Sequence, residues 1–185
     1  MKKSASFVLL SMALLGLGCD ERTQESDTGG ILLEVDFGTN LPFRASVNAA
    51  VASGSLVVAP TLTINSIVAD PLGSTSSLMD VELESIEVRY ERADGGTRLP
   101  PTYVVKTLAT VPAGGSFTIA GQELMSFDQL NSPPLSDLLI ENGGFDRETG
   151  LTFIRLNLFI RVFGRTLGNR SVDSVSRPHT MEFIQ

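Results

Sequence analysis

The chain has 185 residues with 21 acidic and 14 basic side chains, a formal charge of −7, one cysteine and one histidine. A single cysteine excludes a disulfide framework, a CxxC redox centre and a thiolate zinc site. The acidic balance argues against nucleic acid and against a polybasic membrane-binding surface.

Met1-Lys2-Lys3 opens the chain with positive charge, and Ala5 to Leu17 follow without a charged residue. A basic start, a short apolar run and small residues before a cleavage point make a secretory signal. The run is shorter than the roughly 20 apolar residues that cross a bilayer core. Leu15-Gly16-Leu17-Gly18-Cys19 then resembles the bacterial lipobox, where a peptidase cuts before a cysteine that carries diacylglycerol. The resemblance implies lipidation of Cys19 and loss of residues 1–18. Two or three acyl chains then hold the chain at a membrane, since each buried CH₂ contributes about 0.8 kcal/mol. The expected location is the cell envelope, lipid-anchored at the outer membrane or at the periplasmic face of the inner membrane. Loss of Lys2 and Lys3 makes the remaining chain more acidic still, about −9 from −7.

Residues 19–30 read as a flexible tether, because Asp20 to Gly30 contain no hydrophobe. About 11 extended residues reach roughly 35–40 Å. Residues 31–185 then form one domain. Short runs rich in Val, Ile, Thr and Phe alternate with Gly, Pro, Asn and Ser, which is the pattern of many strands. Ile31–Phe37 is the first. Ser55–Ala69 holds one or two more, with Pro60 marking a break or an edge.

Along Val81–Glu91 the apolar phase slips. Val81 and Leu83 alternate one way, and Ile86, Val88 and Tyr90 the other. A β-bulge near Glu84-Ser85 would return both sets to one core. Tyr103–Val111 and Ser116–Gln122 flank Pro112-Ala113-Gly114-Gly115 and predict a hairpin. Ser132 to Ile140 predicts one short helix, with Ser132 as N-cap, Pro133 just inside, and Leu135, Leu138 and Leu139 on one face.

Thr152–Phe163 is the longest predicted strand. Ile154, Leu156, Leu158, Ile160 and Val162 must face a core, while Phe153, Arg155, Asn157, Phe159, Arg161 and Phe163 face away. Val172–Ile184 returns as a last strand, with Pro178 at an edge. Many strands, one short helix and no βαβ rhythm predict an all-β fold, an immunoglobulin-like antiparallel β-sandwich with one short helix.

Ile86-Glu87-Val88-Arg89-Tyr90-Glu91-Arg92-Ala93-Asp94-Gly95, Val111-Pro112-Ala113-Gly114-Gly115-Ser116, and Phe163-Gly164-Arg165 with Gly168-Asn169 together resemble a group of bacterial envelope lipoproteins. These pair a lipobox with a single immunoglobulin-like β-sandwich. The resemblance spans roughly residues 80–185. It implies fold and location, and it transfers no catalytic residue.

No chemistry-bearing constellation stands out. His179 follows Arg177-Pro178 and reads as an exposed polar residue. One histidine and one lipid-bearing cysteine cannot supply the three N or S ligands of a zinc site. Asp70, Asp80 and Asp94 lie near turns without a D-x-D-x-D loop. No catalytic residue, metal or cofactor is therefore expected. The candidate partner-binding residues are Phe153, Arg155, Phe159, Arg161 and Phe163, because Phe and Arg are enriched at interfaces. If that face is uncovered it is a docking surface; if another layer covers it, these are core rings with snorkelling arginines. The function expected is non-enzymatic: a lipid-anchored module binding an envelope protein or glycan. The alternatives are a carbohydrate-binding module, or a hydrolase built on a carboxylate pair.

Overall fold

The computed structural model describes residues 30–37, 43–175 and 178–185. The expected signal segment, Cys19 and nearly all of the expected tether lie outside the described residues. Among the described residues nine strands form: β1 (Ile31–Asp36), β2 (Phe43–Ser46), β3 (Val57–Val68), β4 (Val81–Arg92), β5 (Tyr103–Val111), β6 (Ser116–Met125), β7 (Phe153–Thr166), β8 (Ser171–Val175) and β9 (Pro178–Ile184). The fold is all-β with short helical segments between strands. No helix among the described residues is long and apolar enough to cross a membrane.

The hub is β7. One edge pairs antiparallel with β4 from Leu156 to Thr166. The other edge pairs with β9 from Phe153 to Phe159 and with β8 from Phe163 to Arg165. β4 continues outward to β5, and β9 to β2. β8 carries the sheet onward to β1, which pairs with β3, which pairs with β6. Two of these pairings, β1 with β8 and β2 with β9, are parallel, where a purely antiparallel sheet was expected.

Residues from both halves join one core. Ile31, Leu33, Leu62 and Ile64 come from the β1–β3 half, and Ile86, Val88, Leu156 and Leu158 from the β4–β7 half. Each fully buried aliphatic side chain contributes about 1.5–3 kcal/mol relative to exposure. The slip in β4 is a real bulge: register shifts between Leu83 and Ser85 against both neighbours. Val81, Leu83, Ile86, Val88 and Tyr90 are consequently all buried. Gly164 lies opposite Leu83, and a Cβ there would come within 2.7 Å of the Glu82 carbonyl oxygen. Close backbone approach at the bulge therefore demands glycine.

Of the two alternatives at Pro60 the edge holds and the break does not: β3 runs on through it, and the β1 ladder reaches only as far as Thr63. Other expectations are corrected. Pro112–Gly115 does not close a hairpin. β5 pairs with β4 and β6 with β3, so the turn passes the chain from one half of the sheet to the other. The predicted last strand is two, β8 and β9, and β9 lies between β7 and β2 rather than at an edge. Pro178 is tolerated as the first residue of β9.

The helix expected over 132–141 is instead two 3-10 turns, Leu135–Leu138 and Ile140–Asn142. Extended Leu139, with ψ 140°, separates them, and Pro134 rather than Ser132 occupies the N-cap without a side-chain bond. Leu135, Leu138 and Leu139 still join the core. The regular helices are elsewhere: α1 (Val47–Ser53), capped by Ser46 and Gly54, and the single turn α2 (Phe127–Leu130), closed by a capping box of Ser126 and Gln129.

Candidate functional site

Alternation along β7 sorts its side chains. Ile154, Leu156, Leu158, Ile160 and Val162 are buried, while Phe153, Arg155, Phe159, Arg161 and Phe163 are half-buried on the opposite face. None of those three phenylalanines belongs to the core cluster or packs against it. The five candidate residues therefore share one outward face, and neither the other half of the sheet nor the 3-10 turns absorbs their rings.

Register explains the ion pairs on this face. Arg155 stands opposite Glu182 on β9 and pairs with it at 2.7 Å, while Arg44 holds the same carboxylate at 2.9 Å. The hydrogen bond from Arg155, with Arg44 adding its charge, holds the Glu182 carboxyl below its usual range. Arg161 pairs with Asp173 of β8, with Nε at 2.8 Å. Each of these arginines also lies over a ring two residues away. Arg155 sits 5.3 Å from the Phe153 centroid, and Arg161 5.1 Å from that of Phe163. Cross-strand charge pairing accounts for Arg155 and Arg161.

Phe159 has a different setting. It lies opposite Arg89 on β4 and lines a groove of about 530 Å³. Leu99 and Pro100 form the facing wall, and Glu87, Arg89, Glu91 and Arg161 supply charge. Glu87 Oε1 is buried and ion-paired with Arg89, whose Nε lies 2.7 Å away.

The groove wall is held by a charge cluster that no local sequence pattern reveals. Arg92 closes β4 with its side chain 2% exposed. Its Nε donates to Asp94 at 2.6 Å, its Nη2 to Asp146 at 2.7 Å, and its Nη1 to the Arg98 carbonyl at 3.3 Å. Asp94 and Asp146 are 1% and 0% exposed. Asp94 also accepts from the backbone N–H groups of Gly96 and Arg155, and Asp146 from those of Glu148 and Thr149 and from the Thr149 hydroxyl. Glu148 in turn accepts from Thr97 N–H, the Thr97 hydroxyl and Arg98 N–H. Residues 94–98 are thereby pinned, and Leu99 and Pro100 follow them into the groove wall. Gln129 fixes the far end through Nε2 to the Pro101 carbonyl at 2.6 Å.

Burial alone would raise the Asp94 and Asp146 carboxyls, but hydrogen bonds from Arg92 and its neighbours hold both below their ordinary values. A depressed folded-state pKa contributes stability above the unfolded pKa of about 3.9 and loses it as pH falls through the folded value. The urea midpoint should therefore fall steeply below about pH 4, and less steeply in Asp146→Asn, on top of a smaller decline below about pH 6.5 from His179, which burial holds below its usual value. Parent and Asp146→Asn profiles that run parallel below about pH 4 would contradict the cluster.

The remaining aromatic and acidic candidates sort as follows. Tyr90 is buried and donates to the Leu124 carbonyl at 2.7 Å, and burial pushes its hydroxyl pKa up. Burial and the 2.5 Å hydrogen bond to Glu123 push Tyr103 up to about 12. His179 is not the exposed residue expected. It is half-buried and stacked on Phe37 at 4.4 Å, and burial lowers its pKa. Asp70 accepts from Leu72 N–H within its own turn, and Asp80 accepts from Ala113 N–H, 33 residues along the chain. Among the described residues no cluster of His, Cys, Asp and Glu could hold a metal ion. No protein-family model matches the chain, and a search of curated proteins finds no relative.

Proposed function

We propose that this chain is a non-enzymatic, lipid-anchored envelope lipoprotein. Its domain is read as an immunoglobulin-like β-sandwich that presents the outward face of β7 for binding a protein or a glycan. The observation that carries the binding role is the placement of Phe153, Arg155, Phe159, Arg161 and Phe163 on one face outside the core, with a groove beside Phe159. The sandwich reading is supported by a shared core between the β8-β1-β3-β6 half and the β5-β4-β7-β9-β2 half. The anchor reading rests on the lipobox-like residues that end at Cys19.

The groove geometry favours binding over hydrolysis. Its two acids, Glu87 and Glu91, lie four residues apart on one strand, and Glu87 is already held by Arg89 Nε at 2.7 Å. Asp94 and Asp146 are closed off by Arg92 and by backbone donors, so neither is positioned as a base.

The anchor is tested by Cys19→Ser with fractionation of the producing cells. The parent chain should pellet with membranes and the variant should move to the soluble envelope fraction. A variant that still pellets quantitatively, and is released by neither salt nor alkali, would refute anchoring through Cys19.

A further inference from the structure

We infer that the end of the domain where the tether joins it rests on the lipid surface, with Leu72, Leu78 and Leu167 entering the headgroup boundary. The inference rests on the reading of Cys19 as the lipid anchor, and it says which part of the body that anchor brings to the membrane. Gly30 ends the tether and is fixed at this end of the domain. Its carbonyl accepts from Ala69 N–H at 2.8 Å, and a Cβ on it would stand 3.5 Å from the Met79 methyl. Hydrogen bonds join the neighbouring loops here. Leu167 N–H donates to the Asp80 carbonyl at 2.9 Å, Gly168 N–H to the Leu78 carbonyl at 2.8 Å, and Ala113 N–H to the Asp80 carboxylate at 2.9 Å. One end of the molecule therefore gathers the tether exit with loops 69–80, 112–115 and 167–170.

These loops expose leucine and little charge. Leu72 is 97% exposed, Leu78 63% and Leu167 46%. The cross-strand pair Leu32 and Ile67 adds exposed apolar surface just behind them. Pro71 to Met79 and Pro112 to Ser116 contain no charged residue. At the opposite end the exposed Ile140 and Phe145 stand in sequence beside Glu141, Arg147 and Glu148, so burial in lipid there would desolvate charge as well. A polar coil of about 11 residues averages roughly 17–20 Å end to end. Cys19 in the bilayer thus holds the loops over it at high effective concentration, and a weak contact suffices. The chain's net charge is negative, so anionic headgroups repel it and the attraction is apolar. Contact at this end stands β4 and β7 upright, with Phe163 of the outward face nearer the lipid and Phe153 farther from it.

The test uses the acylated chain as its cells produce it, reconstituted in phosphatidylcholine vesicles. The sequence contains no tryptophan, so Leu72→Trp and Leu78→Trp each report a single site. Ile140→Trp, at a position 68% exposed, reports the opposite end. Lipid brominated along its acyl chains quenches an indole beside it. It should cut the emission of Leu72→Trp and Leu78→Trp at least about twofold, with a shift to shorter wavelength, since interfacial side chains lie about 5–10 Å into the headgroup and acyl boundary. Ile140→Trp should be unchanged. Melting curves confirm that each variant is folded. The inference is overturned if brominated lipid quenches neither leucine variant, or quenches Ile140→Trp as strongly. A shift to shorter wavelength without quenching would mean that a second copy of the chain covers the leucines, and would overturn it too. Mass spectrometry of the Cys19 peptide separates this inference from the anchor. An acylated chain that floats with the vesicles and is not quenched removes the inference alone, whereas an unacylated Cys19 removes both.

Discussion

Arg92→Met lowers the unfolding free energy by about 3–5 kcal/mol, a third or more of what a typical domain possesses. The cation that the substitution removes is buried between Asp94 and Asp146, themselves 1% and 0% exposed. Methionine fills the space of the arginine stem but supplies no donor. Two neighbouring carboxylates are then left in a dry site without their counter-ion, and that uncompensated charge causes most of the loss. Protonation relieves it, so the gap between variant and parent should narrow as the pH falls towards about 4. Urea titrations at neutral and acid pH measure both effects. A neutral-pH loss below about 1 kcal/mol would mean that the pair behaves like a surface ion pair.

Phe183→Ala should cost about 3–5 kcal/mol. Phe183 is fully buried on β9, opposite Ile154 of β7, and nothing nearby can collapse into so large a space without breaking the ladder. Phe159→Ala is the matched comparison. It removes the same side chain from β7's other face, and should change stability by less than about 1 kcal/mol. Parallel denaturation of the two variants reads the two-faced design directly. Equal losses would show that the outward rings are core after all.

Much of this architecture is legible in residue order because alternation is a local signal. Ile154 to Val162 announce a buried face within nine residues, and the phase change at Glu84-Ser85 announces a bulge before any partner strand is known. Partner choice is not local. Pro112–Gly115 has the composition of a hairpin turn, yet the same turn also serves a crossing between sheet halves. The 132–140 segment has leucines at helical spacing, and those leucines do share the core. Their spacing does not distinguish an α-helix from two 3-10 turns, and Leu139 needs extended backbone to reach the core.

α1 illustrates the reverse case. Ser46 and Gly54 bracket the alanine-rich stretch Val47–Ser53 as caps, a signal that hydrophobic periodicity alone passes over. The candidate face was readable because its residues alternate on one strand. The groove was not, since Leu99 and Pro100 reach it only through a loop held by Arg92, Asp146 and Glu148. Arg92 and Asp146 are 54 residues apart in the chain, and no spacing rule connects them.

The central claim is that the body works by contact through the outward face of β7. It is tested most directly by placing the photo-crosslinking residue p-benzoylphenylalanine at position 159 in the intact chain, in living cells. An identical insertion at position 72, in an exposed turn away from the face, is the comparison. A discrete protein or glycan adduct from position 159, absent from position 72 and reduced by Arg161→Ala, is the predicted result. Equal labelling at both positions, or none at 159, would contradict it.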